Sequence, residues 1–369
     1  MGSEMCIRDS KYIDYYNDSK KVTYHEQTDI SNILKLRAVL KTLPDFCKDY
    51  FRAMDPLTTT KTRISYAYDI RIFFQFLLDE NPAFKDYSMK DFTVDVLDQL
   101  KAIDIEEYQE YLKVYKNGDK TETNGERGLK RKISALRSFY AYYYKHEFIQ
   151  TNPTVLVDVP KTHEKNIIRL DADEVAMLLD YIEHCGDELT GQKRVYYEKT
   201  KERDLAIVTL LLGTGIRVSE CVGLDIEDVD FKNNGIKVTR KGGNEMVVYF
   251  GNEVEKALKK YLEVRKNIVP VSGHEHALFY STQRKRIGIQ AVENLVKKYA
   301  CAITTTKKIT PHKLRSTYGT TLYQETGDIY LVADVLGHRD VNTTKKHYAA
   351  MDDACLLYTS PSPRDPKTS

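Results

Sequence analysis

No apolar run in this 369-residue chain approaches membrane-spanning length; the greasiest stretch, Leu205 to Leu212, is far too short, so the sequence predicts no membrane segment. Charge of one sign is also missing. The formal charge is +2, and excluding residues 1–10 and 355–369 leaves it unchanged, because those ends carry three basic residues (Arg8, Arg364, Lys367) and three acidic ones (Glu4, Asp9, Asp365). Overall charge therefore announces no nucleic-acid partner, and any such case must rest on local pattern. There is no C-x-x-C pair: Cys47, Cys185, Cys221 and Cys301 are scattered, which excludes a disulfide framework and a zinc site and fits a reduced cytoplasm. Converging acids that would hold catalytic metal are absent too, so no metal and no cofactor is expected. His274-Glu275-His276, in a polar loop, reads as surface.

The two ends read as scars. Codons that can encode Glu4-Met5-Cys6-Ile7-Arg8-Asp9-Ser10 yield, in reverse complement, a string that translates as Cys-Leu-Leu-Tyr-Thr-Ser, which is Cys355 to Ser360. Such a pair resembles a library adapter, and residues 1–10 and 355–369 are excluded from fold reasoning. The remainder is long enough for two domains, each able to bury a core.

A break is expected at Asn152-Pro153 to His163, where Pro153 and Pro160 frame a polar linker. The expected division is 11–158 for a helical domain, 159–166 for the linker and 167–354 for a second domain. Upstream the chain reads as four helices with no strand signal. Tyr66, Ile70, Phe73 and Leu77 form a stripe behind the capping run Thr58-Thr59-Thr60, Leu129, Ile133, Leu136, Tyr140 and Tyr143 form another, and further helices are expected over Ile33 to Met54 and Asp104 to Val114. The face of the last helix turned from its stripe carries Arg127, Lys130, Arg131 and Lys132, with Arg137 beyond; Thr60, Lys61 and Arg63 open the second. Basic and hydroxylic groups at helix starts suit phosphate contact, whereas a basic helix face alone is more often merely solvated.

Downstream the pattern becomes mixed. Asp171 is expected to cap a helix to about His184, Gly186 to Arg203 reads as a polar segment, and Asp204 to Leu212 as a buried helix ending near Gly215, with Arg217 just past it. Ile236 to Thr239 and Met246 to Phe250 read as strands of a hairpin with Lys241 at its tip. Helices follow over Asn252 to Lys266, Ile289 to Tyr299, Pro311 to Glu325 and Tyr330 to Leu336. His312 and Arg315, at i and i+3, share a helical face.

Six residues, Arg217, Lys241, His312, Arg315, His338 and Tyr348, then supply what metal-free strand exchange at a phosphodiester requires. Two arginines clamp the phosphate, a lysine and two histidines move protons, and a tyrosine attacks phosphorus. Singly each is weak: H-x-x-R is common by chance, and Tyr348 is one of 27 tyrosines. The conjunction carries the reading.

On these residues the chain resembles the tyrosine recombinase, or phage integrase, family, which includes lambda-type integrases and Xer recombinases. The resemblance spans nearly all of the native segment. It rests on Tyr66-x-x-Asp69-Ile70-x-x-Phe73-x-x-Phe76, Ile133-Ser134-Ala135-Leu136-Arg137-Ser138-Phe139, and Asn152-Pro153 before Pro160-Lys161. In the second half it rests on Thr214-Gly215-x-Arg217-x-Ser219-Glu220, the lysine hairpin, His312-x-x-Arg315, Leu336-Gly337-His338 and Tyr348. It implies a SAM-like α-helical core-binding bundle followed by a mainly α, α+β catalytic domain with a small antiparallel sheet. It further implies a site-specific recombinase in which Arg217 and Arg315 grip the scissile phosphate and Tyr348 forms a 3′-phosphotyrosyl link. Lys241 would protonate the leaving oxygen, His312 and His338 would assist, and Glu220 would buttress the site. The implied partners are double-stranded DNA, a homotetramer on synapsed sites, and excisionase or DNA-bending accessory proteins. A type IB topoisomerase and a catalytically silent DNA-binding protein on the same scaffold are the alternatives.

Two departures stand out. Cys221 occupies a position where the family often has leucine, a departure read as a packing change, with a thiol open to oxidation beside Glu220 as the alternative. His347 precedes Tyr348 directly, but the Leu-Gly-His context selects His338.

Overall fold

Pro44 lacks the N–H that a helix interior needs, so the stretch expected as one helix from Ile33 to Met54 is two. In the computed structural model, which describes residues 23–161, 163, 168–240, 243–337 and 344, these are α1, Tyr24–Leu40, and α2, Cys47–Ala53. A capping box between Thr23 and Glu26 opens α1. The Thr59 hydroxyl accepts from the Thr62 N–H to open α3, Thr60–Glu80, whose Ile70, Phe73, Phe74 and Leu77 are fully buried.

After α4, Val96–Gln99, and α5, Ala102–Tyr111, the helices-only expectation fails. β1, Val114–Asn117, pairs antiparallel with β2, Lys120–Thr123, around Gly118, whose φ of 62° suits a two-residue hairpin turn. Only Tyr115 of these eight positions is buried, so the strands carry no apolar alternation to read. α6, Glu126–Lys145, buries Leu129, Ile133, Leu136, Tyr140 and Tyr143 as its stripe predicts. Its Phe139 and Tyr140 meet Phe73, Phe74 and Tyr50 edge-on. Buried tyrosines here have hydroxyl partners, with Tyr50 donating to Ser138 at 2.9 Å and Tyr143 to the Phe46 carbonyl at 2.7 Å.

The chain divides into two compact units, Met1–Lys165 and Asn166–Ser369. In the second, Asp171 and Glu174 form the capping box of α7, Ala172–His184. Most of the polar segment expected before the buried helix belongs to it: α8 runs Gly191–Thr214. Its Gln192, Lys193, Arg194, Glu198 and Lys199 are good helix formers that lie in solvent, whereas Ala206, Ile207, Val208, Leu210 and Leu211 are fully buried. α8 ends at Gly215 in the left-handed region, and α9, Val218–Gly223, follows.

A three-stranded antiparallel sheet comes next, from β3, Val229–Asp230, β4, Gly235–Thr239, and β5, Glu245–Tyr249, in the order β3-β4-β5. The register sets Ile236 opposite Val248 and Val238 opposite Met246. α10, Asn252–Arg265, α11, Ile289–Ile303, and α12, Pro311–Thr326, all pack against α8, making it the axis of this unit. α13, Ile329–Leu336, then lies along α12 and ends at Gly337.

Candidate active site

Gly215 makes the turn that delivers Arg217. It has φ 61°, and a Cβ there would come within 2.3 Å of the Tyr318 ring, so both backbone and packing require glycine. Arg217 stands at the N-cap of α9. Glu220, three residues on and buried, accepts the Arg217 main-chain N–H at 2.8 Å and its Nη1 at 2.7 Å. One carboxylate thus caps the helix and aims the guanidinium. The Arg217 Nη2 continues to the Gly337 carbonyl at 3.3 Å.

Arg315 sits in the first turns of α12, which Pro311 opens at a position where its missing N–H costs nothing. It is 5% exposed and donates through Nη1 to the Gly215 carbonyl and through Nη2 to the Leu336 carbonyl. Arg240, at the end of β4, donates to the Val335 carbonyl at 2.6 Å and to the Asp334 carbonyl at 3.4 Å. Three guanidiniums from three distant parts of the chain therefore meet four consecutive carbonyls, Asp334 to Gly337. The last carbonyls of a helix have no partner within it and carry the negative end of its dipole, which is why cations gather there.

His312 lies one turn before Arg315 on α12 and is exposed, so the face they share runs from solvent to the buried guanidinium. Lys241, His338 and Tyr348 lie outside the described residues; Arg240 directly precedes Lys241, and Gly337 directly precedes His338. Cys221 is fully buried and burial pushes its thiol up to about 12, which agrees with a packing change and sets aside the alternative of an oxidisable group beside Glu220. His276 bonds Glu227 at 2.6 Å, and no group of metal-ligating side chains occurs among the described residues.

Of the residues expected to contact DNA, Lys61, Arg127 and Lys130 are exposed. Arg63 is turned inward, ion-paired with Asp55 and donating to the Thr60 hydroxyl at 3.3 Å. Arg131 is ion-paired with the buried Asp69, and Lys132, expected on the solvent face, is itself buried with its Nζ 3.4 Å from the same carboxylate. Burial raises the Asp69 carboxyl, with Arg131 and Lys132 opposing that shift. Arg137 donates to the Thr154 carbonyl at 3.1 Å and to the Val157 carbonyl. The polar face of α6 is thus only partly available, because two of its cations hold α3 against it.

Sequence reasoning missed Arg240. Its acceptors are main-chain carbonyls, which carry no sequence signature.

The model of the phage integrase family matches residues 168–354. Tyrosine recombinase XerC of Caldanaerobacter subterraneus subsp. tengcongensis is 34% identical over 303 residues, covering 79% of this chain and 78% of that protein. Tyrosine recombinase XerS of Lactococcus lactis subsp. cremoris is 31% identical over 338 residues, covering 85% and 93%. Among solved structures, the XerH site-specific recombinase bound to its difH substrate in a pre-cleavage complex matches with a TM-score of 0.57 at 19% identity, covering 82% of this chain and 80% of that one. The Tn1549 transposon integrase in complex with transposon right end DNA matches with a TM-score of 0.60 at 21% identity, covering 85% and 99%. These structural likenesses bear on the fold.

Proposed function

The chain belongs to the phage integrase family and is a site-specific DNA recombinase, and we propose that it works through Arg217, Lys241, His312, Arg315, His338 and Tyr348. The Tyr348 oxygen attacks the scissile phosphorus and the 5′-oxygen departs, taking a proton that Lys241 supplies. A 3′-phosphotyrosyl bond replaces the phosphodiester. In the second half-reaction a 5′-hydroxyl attacks that bond, the tyrosine leaves and is reprotonated, and a phosphodiester is restored. One bond of the same type is made for each one broken, so the cycle needs no nucleotide hydrolysis.

Arg217 and Arg315 hold the non-bridging oxygens and stabilise the charge that builds in the pentavalent transition state, a task suited to planar guanidinium forks. His312 and His338 assist proton movement. The observation that carries this reading is the meeting of Arg217 and Arg315 at adjacent carbonyls, Gly337 and Leu336.

Residues 11–158 form the core-binding domain, 159–166 the linker and 167–354 the catalytic domain, a division supported by the split at 165/166. Double-stranded DNA is the substrate, a reading supported by the XerH recombinase bound to its difH substrate and the Tn1549 integrase in complex with transposon right end DNA. Lys61, Arg127 and Lys130 are the phosphate contacts of the first domain. We assign a homotetramer on synapsed sites, with excisionase or DNA-bending proteins as accessories, acting in the cytoplasm. No helix among the described residues is long and apolar enough to cross a membrane.

A nicked suicide duplex tests the chemistry. The wild-type chain should form a covalent adduct on a denaturing gel, while Tyr348→Phe binds the same duplex and forms none. An adduct with Tyr348→Phe would move the nucleophile elsewhere; binding without adduct by the wild type would leave a silent DNA-binding protein.

A further inference from the structure

Arg240 occupies an expensive position. Burial above all, and the neighbouring Arg217, lower the pKa of its guanidinium, Glu220 and Asp334 oppose them, and its Nε is buried without a hydrogen-bond partner among the described residues. A charge placed so awkwardly adds little stability beyond what an apolar side chain would give. Its geometry is nevertheless specific. The main chain of Arg240 closes the turn of the hairpin, its N–H donating to the Asn244 carbonyl at 2.7 Å and its carbonyl accepting from Gly243 at 3.0 Å. Its side chain then crosses to the last turn of α13 and lies directly over Gly337, where an added Cβ would fall 1.2 Å from Nη1. Gly337 is therefore constrained twice, by its φ of 61° and by the guanidinium above it.

This one side chain joins the strand that runs on into Lys241 to the helix end that runs on into His338. Neither Glu220 nor Arg315 makes that connection: Glu220 holds Arg217 within α9, and Arg315 ties the end of α8 to α13.

We propose that Arg240 is a positioning residue for leaving-group protonation, bracing the hairpin against the carboxyl end of α13 so that Lys241 is presented at the scissile 5′-oxygen. The proposal rests on the assignment of Lys241 as the acid. Loosening the brace should cost proton delivery and spare phosphate binding.

Single-turnover cleavage of two suicide duplexes, one with the normal 5′-oxygen leaving group and one with a 5′-sulfur that departs without a proton, tests it. Arg240→Ala should slow the oxygen substrate by about tenfold to a hundredfold, a part of the ~10²–10⁴ that a positioned general acid supplies, and cleave the sulfur substrate at close to the wild-type rate. Adding Arg240→Ala to Lys241→Ala should slow the oxygen substrate no further, since both would remove the same step. Arg240→Gln, which keeps a donor for the Val335 carbonyl, replaces Arg240→Ala should the latter fail to fold.

Equal slowing of both substrates, or full rates on both, overturns the proposal. Lys241→Ala run in parallel separates the two failures. If the sulfur substrate does not rescue it, the acid assignment falls and the proposal with it; if Lys241→Ala is rescued and Arg240→Ala is not, the role of Arg240 falls alone.

Discussion

Arg63 and Arg131 in the N-terminal unit end on Asp55 and Asp69, whereas Arg240 and Arg315 in the second unit donate to main-chain carbonyls at the ends of α8 and α13. A carboxylate partner fixes a guanidinium and cancels its charge. A carbonyl partner fixes its direction without itself cancelling the charge. Arg217 lies between these cases, bonded to Glu220 on one side and to the Gly337 carbonyl on the other. Arg63 and Arg131 thus serve as staples and Arg240 and Arg315 as aimed cations, and the partner's chemistry distinguishes the two uses.

Substitutions can break that contrast. Arg315→Ala should have the largest effect, lowering the cleavage rate by about 10²–10³ or more, the scale on which loss of a preorganised donor acts, with DNA retained in a gel-shift assay. A loss of less than about tenfold would make Arg315 a staple like Arg131. Glu220→Gln keeps an acceptor for the Arg217 N–H but removes the charge that aims the guanidinium. A charged hydrogen bond exceeds a neutral one by about 1 kcal/mol, so a fall of roughly five- to tenfold in single-turnover cleavage is expected; an unchanged rate would show that the Gly337 carbonyl alone aims Arg217.

In the N-terminal unit the contrast predicts a split. Removing Arg127 or Lys130 should reduce the salt slope of DNA binding by about one each and leave melting unaltered. Arg131→Ala should leave that slope alone and destabilise the domain by ~1–2 kcal/mol, below the ~3–5 of a fully buried pair because Arg131 is 46% exposed. Similar slopes for all three variants would erase the distinction. The smallest effect concerns Cys221: the folded protein should take up maleimide at the exposed Cys301 and not at Cys221, as mass mapping would show. Rapid labelling of Cys221 would mean that the packing behind Glu220 opens.

The helices were legible wherever burial imposes a stripe, as in α3 and α6, and wherever caps are side chains, as with Asp171 and Glu174. The β1-β2 hairpin was not, because a surface ribbon with one buried residue leaves no alternation. Nor was the first half of α8, whose solvated turns read as polar linker. Around the site, Arg217 and the pair His312 and Arg315 stood out by local context. Arg240 did not, since what defines it is a carbonyl nearly a hundred residues away.

The sequence by itself determined the family, the two-part architecture and the chemistry available, because these depend on which side chains are present and in what order. The tertiary structure alone decided which cations are aimed and which are cancelled. For Arg240 and Arg315 that choice depends on where α13 ends, and the carbonyls at a helix end look the same whatever residues bear them.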